Sequence, residues 1–225
     1  MTKAADWAAD AEQKLLDEAL KLAPVHGWTA RTAKLAGKAL GFSAGETELL
    51  LPHGPEDLAA LLSRRHDARA LATLGDGSNL KIRERIRRAV EARLDAAAQD
   101  EPATRRWMGH LGLPQNLPLA GRLAWESADV FWRWAGDTAT DENHYSKRAL
   151  LAGILSGAMA VRMASGRKAA LEFVDRRIDN VMAFEKWKAT GGFRPGDWLA
   201  GVAERMGRAR YGPPLSPEQS ERGRR

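Results

Sequence analysis

The pattern that most constrains this chain is the helical spacing of its apolar residues. They recur every three to four positions, and no stretch alternates between apolar and polar residues as a surface strand does. In the first segment Leu15, Leu16, Ala19 and Leu22 share one helix face, and Pro24 and Gly27 are expected to end that helix. Further prolines and glycines divide the rest, and a break is predicted at Pro114 and Pro118. Another break is predicted between helices 141–163 and 168–188. The sequence therefore predicts an all-α fold of roughly ten helices.

Composition narrows the classes of function. The chain has 225 residues, of which 44% are hydrophobic, enough for one or two domains with a sizeable core. It has no cysteine, which excludes disulfides, thiol nucleophiles and cysteine-ligated metals. Its net charge of +6 favours anionic partners, whether nucleic acid, anionic lipid or an acidic protein surface.

The sequence predicts neither a signal peptide nor a membrane-spanning helix. The N-terminus begins with a polar helical pattern that includes Asp6 and Asp10, without the apolar core of a signal peptide. The longest uncharged apolar run, residues 149–161, lies between Arg148 and Arg162. It is shorter than the roughly 20 residues that span a bilayer. We expect this run to be a buried core helix.

Residues 27–69 have the layout of a helix-turn-helix, with two short helices, a glycine turn and a longer helix. This layout is similar to the N-terminal module of TetR-type regulators. Its third helix should read DNA, yet it carries Glu46 and Glu48 and no lysine or arginine. Carboxylates weaken binding to a phosphate-lined groove. We therefore expect no nucleic-acid partner, and a TetR-type lipid-responsive regulator that binds DNA remains the alternative function.

Metal and catalytic patterns are weak. The five histidines lack HxxxH spacing, and Asp141 with His144 forms only half of a di-iron carboxylate motif. There is no GxSxG nucleophile motif, although sequence alone leaves a serine triad open. We predict no catalytic residue, no metal and no cofactor, and we expect that the protein is not an enzyme.

Residues 132–148, WRWAGDTATDENHYSKR, join two long predicted helices, 119–135 and 141–163. Gly136 can end the first helix in a left-handed conformation, and Thr140 can cap the second. Asp141 and Glu142 suit the positive N-terminal end of that helix. The stretch therefore indicates a helix junction rather than an active site.

Small residues line one side of the second long helix, at positions 149, 153, 156, 157 and 160. Such a strip permits close helix packing, or it leaves room for an apolar cavity that holds a long hydrophobic ligand. Both interpretations stay open from the residues alone.

A C-terminal amphipathic helix is also predicted, and arginine-rich residues follow it. That combination is typical of a helix that lies on a membrane surface, while a last core helix with a solvated tail is the alternative. Its apolar residues lie on or near one face: Phe193, Trp198, Leu199, Val202 and Met206.

The segments AGDTATDENHYSKRALLAG and FVDRRIDNVM resemble the coenzyme Q (ubiquinone) biosynthesis accessory family numbered nine. The resemblance extends over residues 6–206 and is more specific in the second half. It implies a TetR-like fold with a divergent helix-turn-helix and no catalytic activity. It also implies binding of isoprenoid quinone intermediates or other lipids, homodimers, association with the membrane surface, and binding to the di-iron demethoxyubiquinone hydroxylase.

The resemblance assigns roles to parts of the chain. Residues 1–75 would form the divergent helix-turn-helix domain, 76–190 the lipid-binding domain, and 191–225 the membrane-binding helix and basic tail. The C-terminal apolar face named above would meet the membrane. The residues expected to contact lipid are Trp125, Phe131, Leu151, Ile154, Leu155 and Met159.

Asp141, His144 and Tyr145 are expected to face the hydroxylase. The family often has a tryptophan where this chain has His144, so this patch is predicted to be less apolar here. Mitochondrial relatives carry a transit peptide that is not evident in this sequence. We therefore expect a bacterial cytoplasmic protein that is peripheral on the inner face of the inner membrane.

Overall fold

A computed structural model describes residues 2–137 and 142–189, and within these ranges the chain has eight α-helices and no strand. The all-α prediction is confirmed, and the architecture is consistent with a TetR-like fold. A 3₁₀ turn, Pro114–Asn116, precedes the seventh helix. The helices are α1 Thr2–His26, α2 Ala30–Ala39, α3 Ala44–Leu50, α4 Pro55–Leu74, α5 Ile82–Ala98, α6 Glu101–Leu111, α7 Leu117–Trp134 and α8 Glu142–Ala189.

The predicted helix starts in the N-terminal region are confirmed. The side chain of Thr29 accepts a hydrogen bond from the Thr32 N–H at the start of α2. Ser43 and Glu46 form a capping box at the start of α3, in which the Ser43 hydroxyl accepts from the Glu46 N–H at 3.2 Å. The hydroxyl and the N–H of Ser43 both donate to the Glu46 carboxylate, and they lower its pKa. This acid therefore has a structural role at the helix end.

Two predicted breaks, at Pro24 and Pro118, were wrong. Pro24 lies inside the last turn of α1, where the fixed φ of proline fits the helix, and α1 ends at His26, directly before the predicted stop at Gly27. Pro118 lies in the first turn of α7, where its missing N–H costs nothing, so α7 begins at Leu117. The predicted break between helices 141–163 and 168–188 is confirmed, because α8 consists of two helical arms that meet at Gly166, whose φ of 83° and ψ of 179° are not helical.

Two apolar clusters hold the described helices together in the compact unit Met1–Ile178. The first is built on α1 and includes Leu15 and Leu16, which are fully buried. The second joins α5, α7 and α8 and includes Phe131 and Leu151. The i, i+4 spacing of Ile82, Ile86, Val90 and Leu94 predicts an apolar stripe on α5. This stripe is buried except at Ile82, the first residue of the helix, which is 46% exposed. The domain boundaries proposed from the sequence stay predictions.

Helix α8 has one buried and one exposed side in its first arm, residues 142–165. Leu151 and Ile154 pack in the second cluster, as expected for a core helix. Of the small residues, those at 149, 153, 156 and 160 are exposed, and Gly157 lies against the ring of Phe173. By length and composition alone, His144–Val181 could also cross a membrane.

Candidate functional site

An apolar cavity of about 230 Å³ lies among α4, α5, α6, α7 and the first arm of α8. Its walls come from residues far apart in sequence, so the packing of five helices creates it. The lining residues are Ser63, Arg93, Trp107, Met108, Leu111, Gly112, Leu117, Ala120, Leu123, Ala124, Ser127, Leu155, Ser156 and Met159.

The walls of the cavity are almost entirely apolar. The indole N–H of Trp107 donates to the Ala59 carbonyl at 3.0 Å, so its polar atom is occupied outside the cavity. Three of the lining residues, Gly112, Leu117 and Ser156, are exposed, and Leu117 is 57% exposed, so the cavity opens to solvent on the side where they lie. An apolar pocket of this kind, with few polar groups, is typical of sites for hydrophobic ligands.

A buried polar group interrupts this apolar wall. The Nε of Arg93 donates to the Asp67 carboxylate at 2.6 Å, and the hydroxyl of Ser127 donates to the other carboxylate oxygen at 2.7 Å. Burial raises the pKa of Asp67, although its contacts with Arg93 and Ser127 act in the opposite direction. Arg93 and Ser127 both line the cavity.

Arg93 has a buried nitrogen without a partner. Within the part of the chain that the structure describes, its buried Nη1 has no hydrogen-bond partner. Buried polar groups in native proteins are nearly always paired, so such an atom at a cavity needs an explanation. The arrangement can supply a hydrogen bond to a ligand.

His66 lies next to this group and is fully buried. Its ring is edge-on to Trp107, with centroids 6.4 Å apart, and its Nε2 lies 3.2 Å from the Asp100 carboxylate. Burial lowers the pKa of His66 to about 4, although the contact with Asp100 favours the charged form. The imidazole is therefore neutral at pH 7. Residues 2–137 and 142–189 contain no group of three His, Asp or Glu that could hold a metal ion.

The residues that were predicted to bind lipid fall into three places. Leu155 and Met159 line the cavity. Phe131, Leu151 and Ile154 are buried in the second cluster. Trp125 is partly buried, and its ring lies 6.1 Å from that of Tyr145. Their contact with lipid stays a prediction.

Sequence reasoning did not identify Asp67 and Arg93. A signal was present, because Arg93 continues the stripe of Ile86, Ala89 and Ala97 on α5, all of which are buried. A charged residue at an apolar position marks a buried polar group that needs partners.

The junction between α7 and α8 is a second polar site. Gly136 has a φ of 85°, as its predicted left-handed conformation requires. The side chain of Arg148 is only 2% exposed, and it donates to Asp129 at 2.6 Å and to Asp137 at 2.9 Å. Lys147 also pairs with Asp137 at 2.8 Å. These ion pairs fix the first turns of α8 against the end of α7.

The electrostatics of the junction favour its charged state. Burial works against the charge on Asp137, but hydrogen bonds from Lys147 and Arg148 outweigh it and lower its pKa. Burial also works against the charge on Arg148, and its bonds to Asp129 and Asp137 reverse the effect and raise its pKa. The junction thus has a structural role, as the sequence indicated.

An aromatic surface follows the junction. Tyr145 is 64% exposed, and its ring lies 5.2 Å from that of His144. Asp141 and Thr140, the predicted capping residue, lie outside the described residues. The predicted membrane-binding residues also lie outside them: Phe193, Trp198, Leu199, Val202 and Met206.

Comparison with known proteins supports the resemblance identified from the sequence. Residues 117–185 match the family model COQ9. The chain is 31% identical to the mitochondrial ubiquinone biosynthesis protein COQ9 of Rattus norvegicus, over 76% of this chain and 58% of that protein. It is 30% identical to the Bos taurus protein and 28% identical to the Homo sapiens protein of the same name. Each alignment covers 76% of this chain and 57% of that relative. The chain therefore spans less than three fifths of the length of these relatives, and the resemblance is confirmed.

Proposed function

Because this chain is similar to the COQ9 family of ubiquinone biosynthesis proteins over 76% of its length, we propose that it acts in ubiquinone biosynthesis. Its role is that of a non-catalytic accessory protein that binds isoprenoid quinone intermediates or related lipids. The apolar cavity among α4 to α8 carries this proposal. The family match at residues 117–185 includes α7 and the first arm of α8, which form one side of that cavity.

A physical need supports lipid binding. A quinone precursor has a long polyprenyl tail, and each CH₂ moved from an apolar environment into water costs about 0.8 kcal/mol. A protein with an apolar slot lowers this cost when it takes part of the tail or the ring. Sites that enclose drug-sized ligands have volumes of about 300–1,000 Å³, and this cavity is smaller. It therefore receives part of the lipid, and the remainder passes the opening at Leu117.

We place the protein at a membrane surface in this proposal. The amphipathic pattern of residues 193–206 and the arginines that follow support binding to anionic lipid. The relatives named above are mitochondrial proteins, and for this chain we propose the inner face of a bacterial inner membrane. There it would act as a homodimer and present the quinone precursor to the demethoxyubiquinone hydroxylase.

Lipid extraction tests the central part of the proposal. The full chain is purified without added lipid, and native mass spectrometry identifies what remains bound. We expect an isoprenoid quinone or a phospholipid to co-purify. A chain that carries no lipid and does not bind liposomes would contradict lipid binding.

Liposome flotation tests the membrane role separately. Deletion of residues 192–225 should abolish flotation with anionic vesicles. The circular dichroism spectrum and the melting temperature of the helical unit should stay unchanged. A control chain with Arg64→Gln loses a charge on α4, and it should float like the unchanged protein. Flotation that is equal with and without residues 192–225 would contradict the membrane role of that segment.

Substitution in the exposed aromatic pair tests binding to the hydroxylase. Tyr145→Ala removes the most exposed ring of the His144–Tyr145 surface. We expect it to weaken pull-down of the purified demethoxyubiquinone hydroxylase by at least about tenfold, as loss of an aromatic anchor in an interface does. Trp7→Ala is a matched control, since Trp7 is also exposed but lies on α1. Equal losses from both substitutions would contradict a specific patch.

DNA binding has no comparable support. The third helix uses Glu46 in its capping box, Glu48 is exposed, and the helix AGETELL contains no basic residue. We therefore do not propose the TetR-type regulator. Sequence-specific retardation of genomic fragments in a gel-shift assay would reverse this choice.

A further inference from the structure

We propose that Arg93 is the head-group anchor of the cavity, and that it binds a neutral carbonyl oxygen of a lipid through the Nη groups of its guanidinium. This proposal deepens the proposed function and rests on it. It assigns the polar end of the ligand to one atom and the apolar part to the surrounding walls.

The first support is the unpaired donor. The Arg93 side chain is 5% exposed and lines the cavity. Its Nε is used by Asp67, while the buried Nη1 has no hydrogen-bond partner among the described residues. Asp67 uses only one of the five N–H donors of the guanidinium, so a ligand oxygen in the cavity would give its Nη groups a partner.

The second support is the rigidity of the anchor. Asp67 receives hydrogen bonds on both of its oxygens, from Arg93 and from Ser127, and it joins α4, α5 and α7. The guanidinium is therefore held in one orientation before the ligand enters. Groups fixed in this way lose little conformational entropy on binding.

The balance of charge selects a neutral ligand. The positive charge of Arg93 is already opposed by the Asp67 carboxylate at 2.6 Å, so the pair has no net charge. An anionic group such as a phosphate would be desolvated close to Asp67, which is unfavourable in an apolar pocket. A ketone or ester carbonyl accepts a hydrogen bond without this penalty. Both a quinone ring and a glyceride have such an oxygen.

The position of the opening sets the direction of the ligand. Ser63, Arg93 and Ser127 contribute polar side chains from three helices, whereas exposed Leu117 marks the opening to solvent. A lipid that binds Arg93 with its carbonyl would extend its tail along Leu111, Ala124 and Leu155.

Three probes test the anchor. The first is ubiquinone with two isoprene units. The second is the hydrocarbon of the same shape, in which methyl groups replace the ring oxygens. The third is dioctanoylglycerol, which supplies ester carbonyls. Binding constants are measured on the full chain by native mass spectrometry. We expect the best carbonyl probe to bind about 10 to 100 times more tightly than the hydrocarbon, the range for a hydrogen bond to a charged donor.

A double variant removes the anchor without leaving an unpaired buried charge. Asp67→Leu combined with Arg93→Met replaces both partners with apolar side chains of similar size, which proteins often tolerate. The matched control is Arg87→Met with Asp175→Leu, an Arg–Asp pair at 2.7 Å that does not line the cavity. The first variant should bind the carbonyl probe and the hydrocarbon equally, and the control should keep the wild-type ratio.

Arg93→Lys covers the case in which the double variant does not fold. It keeps a positive charge beside Asp67 but has only one nitrogen, which Asp67 already engages. The ratio should again fall by about tenfold or more.

The outcomes separate this proposal from lipid binding itself. If the wild-type chain binds the carbonyl probe and the hydrocarbon equally, the cavity holds lipid but the anchor is overturned. If it binds none of the probes, both proposals fail. A ratio that survives in both Arg93 variants also overturns the anchor. A preference for ubiquinone over dioctanoylglycerol, or the reverse, identifies the source of the carbonyl.

Discussion

Two buried arginines of this protein, Arg93 and Arg148, have similar burial but different surroundings. Each side chain is at most 5% exposed, and each donates through Nε to an aspartate at 2.6 Å. Arg148 also donates through Nη1 to Asp137 and to the carbonyl of His144. The corresponding atom of Arg93 has no partner in the described residues and belongs to a cavity-lining side chain.

The difference separates a structural arginine from a binding one. A buried charge is favourable only when its partners replace the hydration that it loses. At the α7–α8 junction two carboxylates and a carbonyl do this, so the group holds the helices together. In the cavity, the Asp67 carboxylate replaces only part of the hydration that Arg93 loses, and a ligand can supply the remaining hydrogen bonds.

The largest expected effect is at the junction. Arg148→Met leaves Asp129 and Asp137 without their shared partner, and it should lower the free energy of unfolding by about 3–5 kcal/mol. Urea denaturation measures this. Arg133→Met is the control, because Arg133 pairs with the same Asp129 but is 73% exposed, and it should cost less than about 1 kcal/mol. Similar losses from both would mean that burial does not decide the role of Arg148.

The next effect is at the cavity. Arg93→Met alone leaves a buried Asp67, and we expect a loss of about 2 kcal/mol at pH 7. The loss is smaller than at Arg148, because only one carboxylate loses its partner and Ser127 still donates to it. Combining the substitution with Asp67→Leu should recover most of the stability in the same urea experiment. A double variant that is less stable than Arg93→Met would contradict the assignment of the pair.

As the pH falls, His66 beside the cavity should lower the stability of the fold before Asp137 at the junction does. The pKa of His66 is about 4 in the folded chain against an ordinary value of 6.5, so the unfolded chain takes up its proton first as the pH falls. The folded state then loses about 2 kcal/mol between pH 8 and pH 5. The lowered pKa of Asp137 means that its contribution is lost only below its ordinary range.

The variant His66→Leu isolates this effect. Burial raises the pKa of Asp67, which favours the folded state as the pH falls and opposes the histidine. The comparison of wild type with His66→Leu in urea at pH 8 and pH 5 removes that contribution. The wild type should lose about 2 kcal/mol more than the variant over this interval. An equal pH dependence of the two chains would show that His66 does not titrate as described.

The smallest expected loss of stability comes from removing a single hydrogen bond at the junction. The indole N–H of Trp132 donates to the Lys147 carbonyl at 3.0 Å. Trp132→Phe keeps most of the ring and removes this donor, which should cost about 1 kcal/mol in thermal or urea unfolding. Arg148→Met in the same background should remain the more damaging change. A larger loss from Trp132→Phe than from Arg148→Met would reverse the ranking.

The sequence was informative about helices and less so about the cavity. The capping residues Thr29 and Ser43 and the left-handed Gly136 act through neighbours a few positions away, so their roles could be predicted from local pattern. Pro24 and Pro118 were misjudged because proline is compatible with the first turn of a helix and with the last turn of α1.

The cavity depends on contacts between distant residues. Asp67, Arg93 and Ser127 come from three helices, and no local pattern shows that they meet. Leu155 and Met159 on α8 were predicted to contact lipid and do line the cavity, whereas Phe131 on α7, for which the same prediction was made, packs in the core. Periodicity indicates which face is buried, but the packing of the other helices decides where space remains.

Binding of ubiquinone with two isoprene units to the cavity tests the account most directly. Ala124 lines the cavity, and Ala124→Phe fills it without removing a polar contact. Ala72→Phe, at an exposed position on α4, is the control. Native mass spectrometry should show saturable binding of one quinone to each wild-type and Ala72→Phe chain, and at least about tenfold weaker binding to Ala124→Phe. Equal binding to all three chains, or none to the wild type, would contradict the account.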